Sequence, residues 1–129
     1  MALKYGADAL WVSNDGGKTF DSAPSSISVL PSIVRAVRSI KSAKPNAEIY
    51  IDGGIRRGTE VIKALAYGAQ AVFIGRPVIW SLHCGGKEGV KEMLEILNEE
   101  LKICMALTHC MDIKEITAEK VIHMVKPKL

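Results

Sequence analysis

The sequence predicts an α/β fold with a parallel sheet, and three features of its apolar segments indicate this. Short, almost continuous apolar runs at residues 9–13, 48–52 and 71–74 are typical of strands that are covered on both faces. Between them, residues 30–40 and 61–67 carry apolar side chains at helical spacing. Glycine-containing turns follow each apolar run, so strand, turn and helix alternate along the chain.

A repeated tripeptide sets the length of one strand-helix unit. Tyr5-Gly6-Ala7 precedes the first predicted strand, and Tyr67-Gly68-Ala69 precedes the third. One unit therefore takes about 30 residues, and eight such units make roughly the 250 residues of a TIM (β/α)₈ barrel. We predict a single partial domain over residues 1–129, made of the C-terminal three β/α units of such a barrel (about 1–108) and a tail (109–129). Because the chain opens on the glycine-capped end of a helix, we expect it to begin within the architecture.

The helical segments carry their own start and stop signals. Pro31 suits the first turn of the helix over residues 30–40, and a short helix is predicted at 77–82 before Gly85 and Gly86. The longest helix is predicted at 87–107. Trp11 and Trp80 are predicted to be core residues. The side chains predicted to face inward from the longest helix are Val90, Met93, Leu94, Leu97, Leu101 and Met105.

The composition of the chain disfavours several classes of binding partner. The net charge of +3 comes from basic residues interspersed with acidic ones, which does not predict a nucleic-acid partner. No apolar run reaches the roughly 20 residues that span a membrane, so neither a membrane partner nor a membrane segment is expected. Three cysteines without C-x-x-C spacing predict no metal site. A cytoplasmic location is expected, and the ending Pro127-Lys128-Leu129 resembles a peroxisomal signal with proline at the small-residue position.

Two loops predict a phosphate site. Asp52-Gly53-Gly54-Ile55-Arg56 follows the second predicted strand, and Gly75-Arg76 follows the third. Glycine-rich turns expose backbone N–H groups, arginine donates bidentately to phosphate, and helix N-termini favour anions. Loops after the last two strands, with a short extra helix, are where these barrels place phosphate. The alternative interpretation of the first loop is a tight turn with solvated arginines.

These motifs, taken together, resemble the C-terminal part of the FMN-dependent α-hydroxy acid oxidases and dehydrogenases, the glycolate and lactate oxidase family. The resemblance implies FMN as cofactor, with its phosphate on Asp52 to Arg56 and on Gly75 and Arg76. It also implies oxidation of a small 2-hydroxy acid to a 2-oxo acid, with N-terminal units holding most of the flavin ring. The matching runs are Val12-Ser13-Asn14, Gly16-Gly17, Asp21, Ile51-Asp52-Gly53-Gly54-Ile55-Arg56-Arg57-Gly58-Thr59, Lys63-Ala64-Leu65-Ala66, Gly68-Ala69, Ala71-Val72, Ile74-Gly75-Arg76-Pro77 and Met105-Ala106-Leu107.

The turn after the first strand departs from the family pattern. Asp15 stands where the resemblance implies the histidine base, and Lys18 stands where it implies the arginine that clamps the substrate carboxylate. An unperturbed Asp is a weaker base than His by about 2 to 3 pKa units, and Lys lacks the bidentate fork of Arg. Asp15 is therefore either a carboxylate base with Lys18 as the carboxylate clamp, or a turn residue that is tolerated because catalysis has been lost or relocated. Asp52 either accepts hydrogen bonds from backbone amides near the flavin or caps its own turn.

Three hypotheses follow for the function of the chain. The first is a truncated or divergent FMN-dependent 2-hydroxy acid oxidase, inactive as an isolated chain. The second is a non-catalytic partial barrel that self-associates or binds another chain, because three strands leave one sheet face and two edges open; a homo-oligomer is expected. The third is a different phosphate-binding barrel, such as an isomerase or another flavin reductase. Ser13-Asn14 and Gly16-Gly17 disfavour it.

Overall fold

The computed structural model describes residues 2–40 and 47–121 and contains one parallel three-stranded sheet. Its strands are β1 (Ala9–Val12), β2 (Glu48–Ile51) and β3 (Ala71–Val72), hydrogen-bonded in the order β1-β2-β3. Both strand pairs are parallel. Helices follow each strand in the sequence, so the described chain is a run of β/α units. The predicted partial barrel with three consecutive β/α units is confirmed.

Three helices carry the remaining regular structure: α1 (Ser26–Ser39), α2 (Gly58–Ala66) and α3 (Arg76–Leu107). Gly85 and Gly86 inside α3 have non-helical dihedral angles, so the division predicted between a short helix and the longest helix lies at those residues. Short 3₁₀ turns complete the described chain at Ala2–Tyr5, Asp15–Gly17, Ile113–Glu115 and Ala118–Lys120.

Two predicted boundaries are wrong. α1 begins at Ser26, so Pro31 lies inside the helix and not in its first turn. Ile27 and Val29 pack against the core, and this tertiary packing extends the helix toward its N-terminus despite the proline. β3 ends at Val72, although the Phe73 N–H still donates to the Ile51 carbonyl at 2.8 Å.

The main core lies between the sheet and helices α1 and α2. Leu30 of α1 and Ile51 of β2 are fully buried there. A second, smaller cluster joins α2 to the tail, where Cys110 and Ile116 pack with Ile62. In α3, Leu97 is buried, whereas Leu94 is half exposed and was wrongly predicted to face inward. Helices therefore cover one face of the sheet.

The opposite face of the sheet carries aromatic side chains that remain accessible. Trp11 and Phe73 lie with ring centroids 4.1 Å apart, and Tyr50 lies 5.7 Å from Phe73. Trp11 is 55% exposed, because strand alternation directs it away from the side on which Val12 meets the helices. Trp80 of α3 is also about half exposed. The prediction that both tryptophans are core residues is wrong for the described chain.

Gly58 sets how closely α2 and α3 approach. A Cβ at this position would overlap the backbone of Glu100 and Leu101 in α3. The Gly58 N–H also donates to the Glu100 carboxylate at 2.7 Å. The two helices are therefore held together at the start of α2 by a contact that only glycine permits.

Among the described residues, no helix combines the length and the apolar character that crossing a bilayer requires. The ending Pro127-Lys128-Leu129 lies outside the described residues, as does Ile122 of the tail.

Candidate phosphate-binding site

The loops after the three strands meet at one edge of the sheet. In the register, Val12 pairs with Ile51 and Ile51 pairs with Val72, so the strands end at the same level. The Asp52 N–H extends this ladder by donating to the Val12 carbonyl at 3.2 Å. Because the carboxyl ends of parallel strands are where such folds bind ligands, this edge is the candidate site.

The turn after β2 requires glycine at two consecutive positions. Gly53 and Gly54 have φ angles of 86° and 80°, a region that other residues adopt at a cost. Within the described chain, the N–H groups of Gly53, Gly54 and Ile55 have no hydrogen-bond acceptor. Consecutive amides in left-handed or turn conformations form concave anion sites. This turn can therefore offer backbone donors to a phosphate.

The backbone amides that follow the glycine turn already donate hydrogen bonds to carboxylates of the protein. The Glu60 carboxylate accepts from the N–H groups of Arg56 at 2.7 Å and Arg57 at 2.8 Å, and Glu100 accepts from Gly58. Two carboxylates of the protein itself thus lie at the positive end of α2. In this arrangement the backbone amides of Arg56, Arg57 and Gly58 are therefore not free to donate to a phosphate. The donors that remain at this loop include the backbone amides of the glycine turn and the exposed Arg56 side chain.

Arg76 connects the last loop to the first. It is the first residue of α3, and its guanidinium donates a hydrogen bond to the Gly16 carbonyl in the loop after β1. A Cβ at Gly16 would overlap this guanidinium. Of the predicted site residues after β3, Arg76 is therefore brought against the loop of Asp15 and Lys18, and Gly75 immediately precedes it.

Asp15 and Lys18 bind each other. The Lys18 Nζ lies 2.5 Å from Asp15 Oδ1, and the Thr19 hydroxyl donates to Asp15 Oδ2 at 2.8 Å. The hydrogen bond from Lys18, and then that from Thr19, lower the pKa of Asp15 below its ordinary value. A lowered pKa makes a carboxylate a weaker base. Asp15 has a φ of 55°, a left-handed conformation that Asp tolerates better than most residues.

Two buried oxygens at this edge lack partners among the described residues. They are Oδ1 of Asp52 and Oγ of Ser26, the first residue of α1. Buried polar atoms are nearly always hydrogen-bonded in folded proteins, so each of these oxygens is expected to have a hydrogen-bond partner outside the described residues. An unpaired carboxylate oxygen beside the glycine turn fits a ligand hydroxyl. The described residues contain no group of three or more His, Cys, Asp or Glu side chains that could hold a metal ion.

Comparison with known proteins identifies the family. The sequence profile of the family described as FMN-dependent dehydrogenase matches residues 1–123. The chain belongs to this family. FMN is the family's cofactor, and the unpaired Asp52 oxygen and the glycine-turn amides fit a hydroxylated, phosphorylated group of that kind.

The curated relatives that this chain resembles include a 2-hydroxyacid oxidase and an L-lactate oxidase. The chain is 53% identical over 116 residues to the 2-hydroxyacid oxidase of Dictyostelium discoideum, covering 90% of this chain and 28% of the relative. It is 50% identical over 115 residues to the L-lactate oxidase of Nostoc, covering 89% of this chain and 30% of the relative. The chain therefore spans less than a third of the length of these relatives.

Two solved structures of other proteins have the same fold as this chain. A mandelate oxidase with benzoyl-formic acid superposes with a TM-score of 0.81 at 42% identity, covering 89% of this chain and 32% of that chain. A lactate oxidase of Pediococcus acidilactici superposes with a TM-score of 0.82 at 41% identity, covering 91% and 31%. The likeness extends over nearly the whole of this chain and about a third of each neighbour.

Several residues at this edge were not found from the sequence. Glu60 has the three-residue spacing of a capping box after Arg57, and that spacing could have indicated its role. Glu100 lies far from Gly58 in the sequence, and Ser26 lies in a polar stretch without a pattern, so nothing local marks either residue.

Proposed function

We propose that this chain binds the phosphate of FMN at the carboxyl ends of its strands, as part of an FMN-dependent 2-hydroxy acid oxidase. The observation that carries this proposal is the glycine turn after β2, whose amides lack acceptors while the next three are occupied by Glu60 and Glu100. The donors left at this turn are those that a phosphate can use.

Two arginines supply the positive charge that binds the phosphate in this proposal. Arg56 follows the glycine turn and its side chain is exposed, so it can reach a phosphate without breaking a described contact. Arg76 must release the Gly16 carbonyl, or share its five donors between that carbonyl and the phosphate. A hydrogen bond to a charged group contributes about 1.5 to 3 kcal/mol, so each arginine is worth about tenfold or more in affinity.

Asp52 has a separate role in this proposal. Its Oδ1 is buried at the end of β2 without a partner among the described residues. A carboxylate accepts hydrogen bonds only, so its partner must be a donor, and the ribityl hydroxyls of FMN are donors. In this proposal Asp52 orients the cofactor, while Gly53, Gly54, Ile55 and Arg56, together with Gly75 and Arg76, hold the phosphate.

The reaction proposed for the complete enzyme is oxidation of a small 2-hydroxy acid to the 2-oxo acid. FMN, when bound, accepts the two electrons removed from the substrate. This chain supplies a weak base at the expected position, because Lys18 and Thr19 hold the pKa of Asp15 below its usual range. Lys18 is occupied by Asp15 and does not clamp a substrate carboxylate in this arrangement. We therefore expect no turnover by the isolated chain.

The phosphate role of Arg56 is tested by titrating FMN into the chain and following flavin fluorescence. Arg56→Ala should weaken FMN binding about tenfold or more, because one charged donor is lost. Arg35→Ala is the matched control, since Arg35 is an exposed arginine on α1 whose side chain contacts Ser32. Equal affinities for the two variants would contradict the proposal.

A second function, self-association of a partial barrel, is supported by the aromatic face of the sheet. Trp11 and Phe73 are exposed there, and large exposed apolar patches commonly mark interaction surfaces. A homo-oligomer that covers this face is compatible with FMN binding at the carboxyl edge.

A further inference from the structure

The loop after β1, residues 15–19, has few contacts that hold it in one conformation. All five residues are exposed, and none packs in either apolar cluster. Within the described chain, the hydrogen bonds of this loop join residues at most four positions apart, with a single exception. Asp15, Gly16 and Gly17 have consecutive φ angles of 55°, 69° and 77°, and Asp15 adopts this region at a cost. The loop therefore depends on a contact from elsewhere in the fold to fix its position.

Arg76 makes the hydrogen bond that is this exception. Its Nη2 group donates to the Gly16 carbonyl, which lies 60 residues away in the sequence. A Cβ on Gly16 would stand 3.3 Å from Cζ of Arg76, so the guanidinium lies directly against the loop backbone. The pKa of Asp15 is lowered mainly by its hydrogen bonds from Lys18 and Thr19, and the charge of Arg76 also lowers it. Within the described chain, Arg76 is therefore the side chain that ties this loop to a distant part of the fold.

The guanidinium of Arg76 retains donors for a second partner. An arginine carries five N–H donors, and the Gly16 carbonyl is the acceptor that Arg76 has within the described chain. The side chain of Arg76 is exposed. Because the guanidinium is planar and holds its donors in a fixed fork, an anion on the free donors orients the group without displacing the carbonyl. One side chain can therefore bind a phosphate and the Gly16 carbonyl at the same time.

The glycine turn of the proposed phosphate site lies beside the start of the same loop. The Oδ1 atom of Asn14, the residue before Asp15, lies 3.2 Å from the point where a Cβ on Gly53 would stand. The segment that runs from Asn14 into the loop therefore adjoins both the glycine turn and Arg76.

We propose that Arg76 is a positioning residue that couples phosphate binding to the order of the loop at residues 15–19. Fixing an exposed arginine in one rotamer costs conformational entropy. When a phosphate already holds the guanidinium, the contact with the Gly16 carbonyl does not incur this cost again, so each contact strengthens the other. The coupling rests on the proposed phosphate site and extends its effect to the loop that carries Asp15 and Lys18.

NMR of the flavin-free full chain tests the contact between Arg76 and the loop. Relaxation of the Gly16, Gly17 and Lys18 amides gives their order parameters, and the chemical shift of the Gly16 carbonyl carbon reports its hydrogen bond. Arg76→Gln should shift that carbon and lower the order parameters below those of the unaltered chain, towards the values under about 0.6 of a flexible backbone. Arg56→Gln removes the other arginine of the proposed site, which makes no hydrogen bond to this loop within the described chain, and should leave both readouts unchanged. Equal readouts for the two variants would overturn the proposal.

Adding FMN or riboflavin to the unaltered chain tests the coupling, and this comparison decides even if Arg76→Gln does not fold. Saturating FMN should raise the order parameters of the three loop amides towards the value of about 0.85 for a rigid backbone. Riboflavin at the same occupancy should leave them at the flavin-free values, because it has no phosphate to hold Arg76. At saturating FMN, Arg56→Gln should show the same rise and Arg76→Gln should show none.

Flavin fluorescence, recorded in the same titration, separates failure of the coupling from failure of the proposed function. FMN that binds without ordering the loop would overturn the coupling and leave the proposed phosphate site standing. Absence of FMN binding would refute the proposed phosphate site and the coupling with it.

Discussion

Single residues at the carboxyl edge decide which of its groups can bind and which can react. The Glu60 carboxylate occupies the amides of Arg56 and Arg57, and Lys18 occupies the Asp15 carboxylate. By contrast, Asp52 Oδ1 is buried without a partner in the described chain. Groups that are already paired gain little from a ligand, whereas a buried unpaired acceptor gains a full hydrogen bond. The edge is therefore better suited to holding a cofactor than to abstracting a proton.

The pKa of Asp15 can be measured directly. Its carboxyl carbon, followed by NMR as pH is lowered, should titrate with a midpoint below the ordinary value of 3.8, because Lys18 and Thr19 stabilise the ionised form. The contribution of this pair to stability is then fully present above the ordinary pKa and is lost as pH falls through the lower, folded-state pKa.

Lys18→Met removes the largest cause of that shift and should raise the Asp15 midpoint toward its ordinary value. Lys63→Met, at an exposed lysine on α2, serves as the control and should leave the midpoint unchanged. A midpoint near that of histidine in the unaltered chain would contradict the account and restore Asp15 as a candidate base.

At the scale of elements, the packing of α2 on α3 depends on one glycine. Gly58→Ala should lower the free energy of unfolding by about 2 kcal/mol, because the added methyl group overlaps the α3 backbone at Glu100 and Leu101. Urea unfolding measures this difference. Thr59→Ala, at the next and exposed position, should change stability by less than about 0.5 kcal/mol. Equal stabilities for the two variants would show that the helices do not approach as described.

The order of the elements was predictable because local patterns specify it. Apolar runs that end in glycine turns indicate β2 and β3. Gly85 and Gly86 indicate the break in α3, because glycine has a low helix propensity. The start of α1 was not predictable, because packing of Ile27 and Val29 against the core outweighs the signal of Pro31.

The candidate site was predictable only in part. The glycine turn and Arg56 belong to one motif of five consecutive residues, which the sequence alone reveals. The hydrogen bond from Gly58 to Glu100 depends on how α3 packs against α2, which the sequence does not show. The exposure of Trp11 depends on which sheet face the helices cover, and an apolar strand segment alone does not specify that face.

The whole molecule presents an aromatic sheet face formed by Trp11, Tyr50 and Phe73. If copies of the chain associate through this face, Trp11→Ser should weaken self-association about tenfold, since burial of a large side chain contributes about 1.5 to 3 kcal/mol. Sedimentation velocity over a range of concentrations measures the effect. Trp80→Ser, at a tryptophan of similar exposure on α3, is the control and should associate like the unaltered chain. A compact monomer at all concentrations would contradict the interpretation.

The most direct test of the account compares FMN with riboflavin, which has the same ring and ribityl chain but no phosphate. If the glycine turn, Arg56 and Arg76 hold the phosphate, the unaltered chain should bind FMN at least about tenfold more tightly than riboflavin, because charged hydrogen bonds are lost with the phosphate. The difference should shrink as salt is added, since exposed charge pairs are screened. Equal affinities for FMN and riboflavin, or binding of neither, would contradict the central claim.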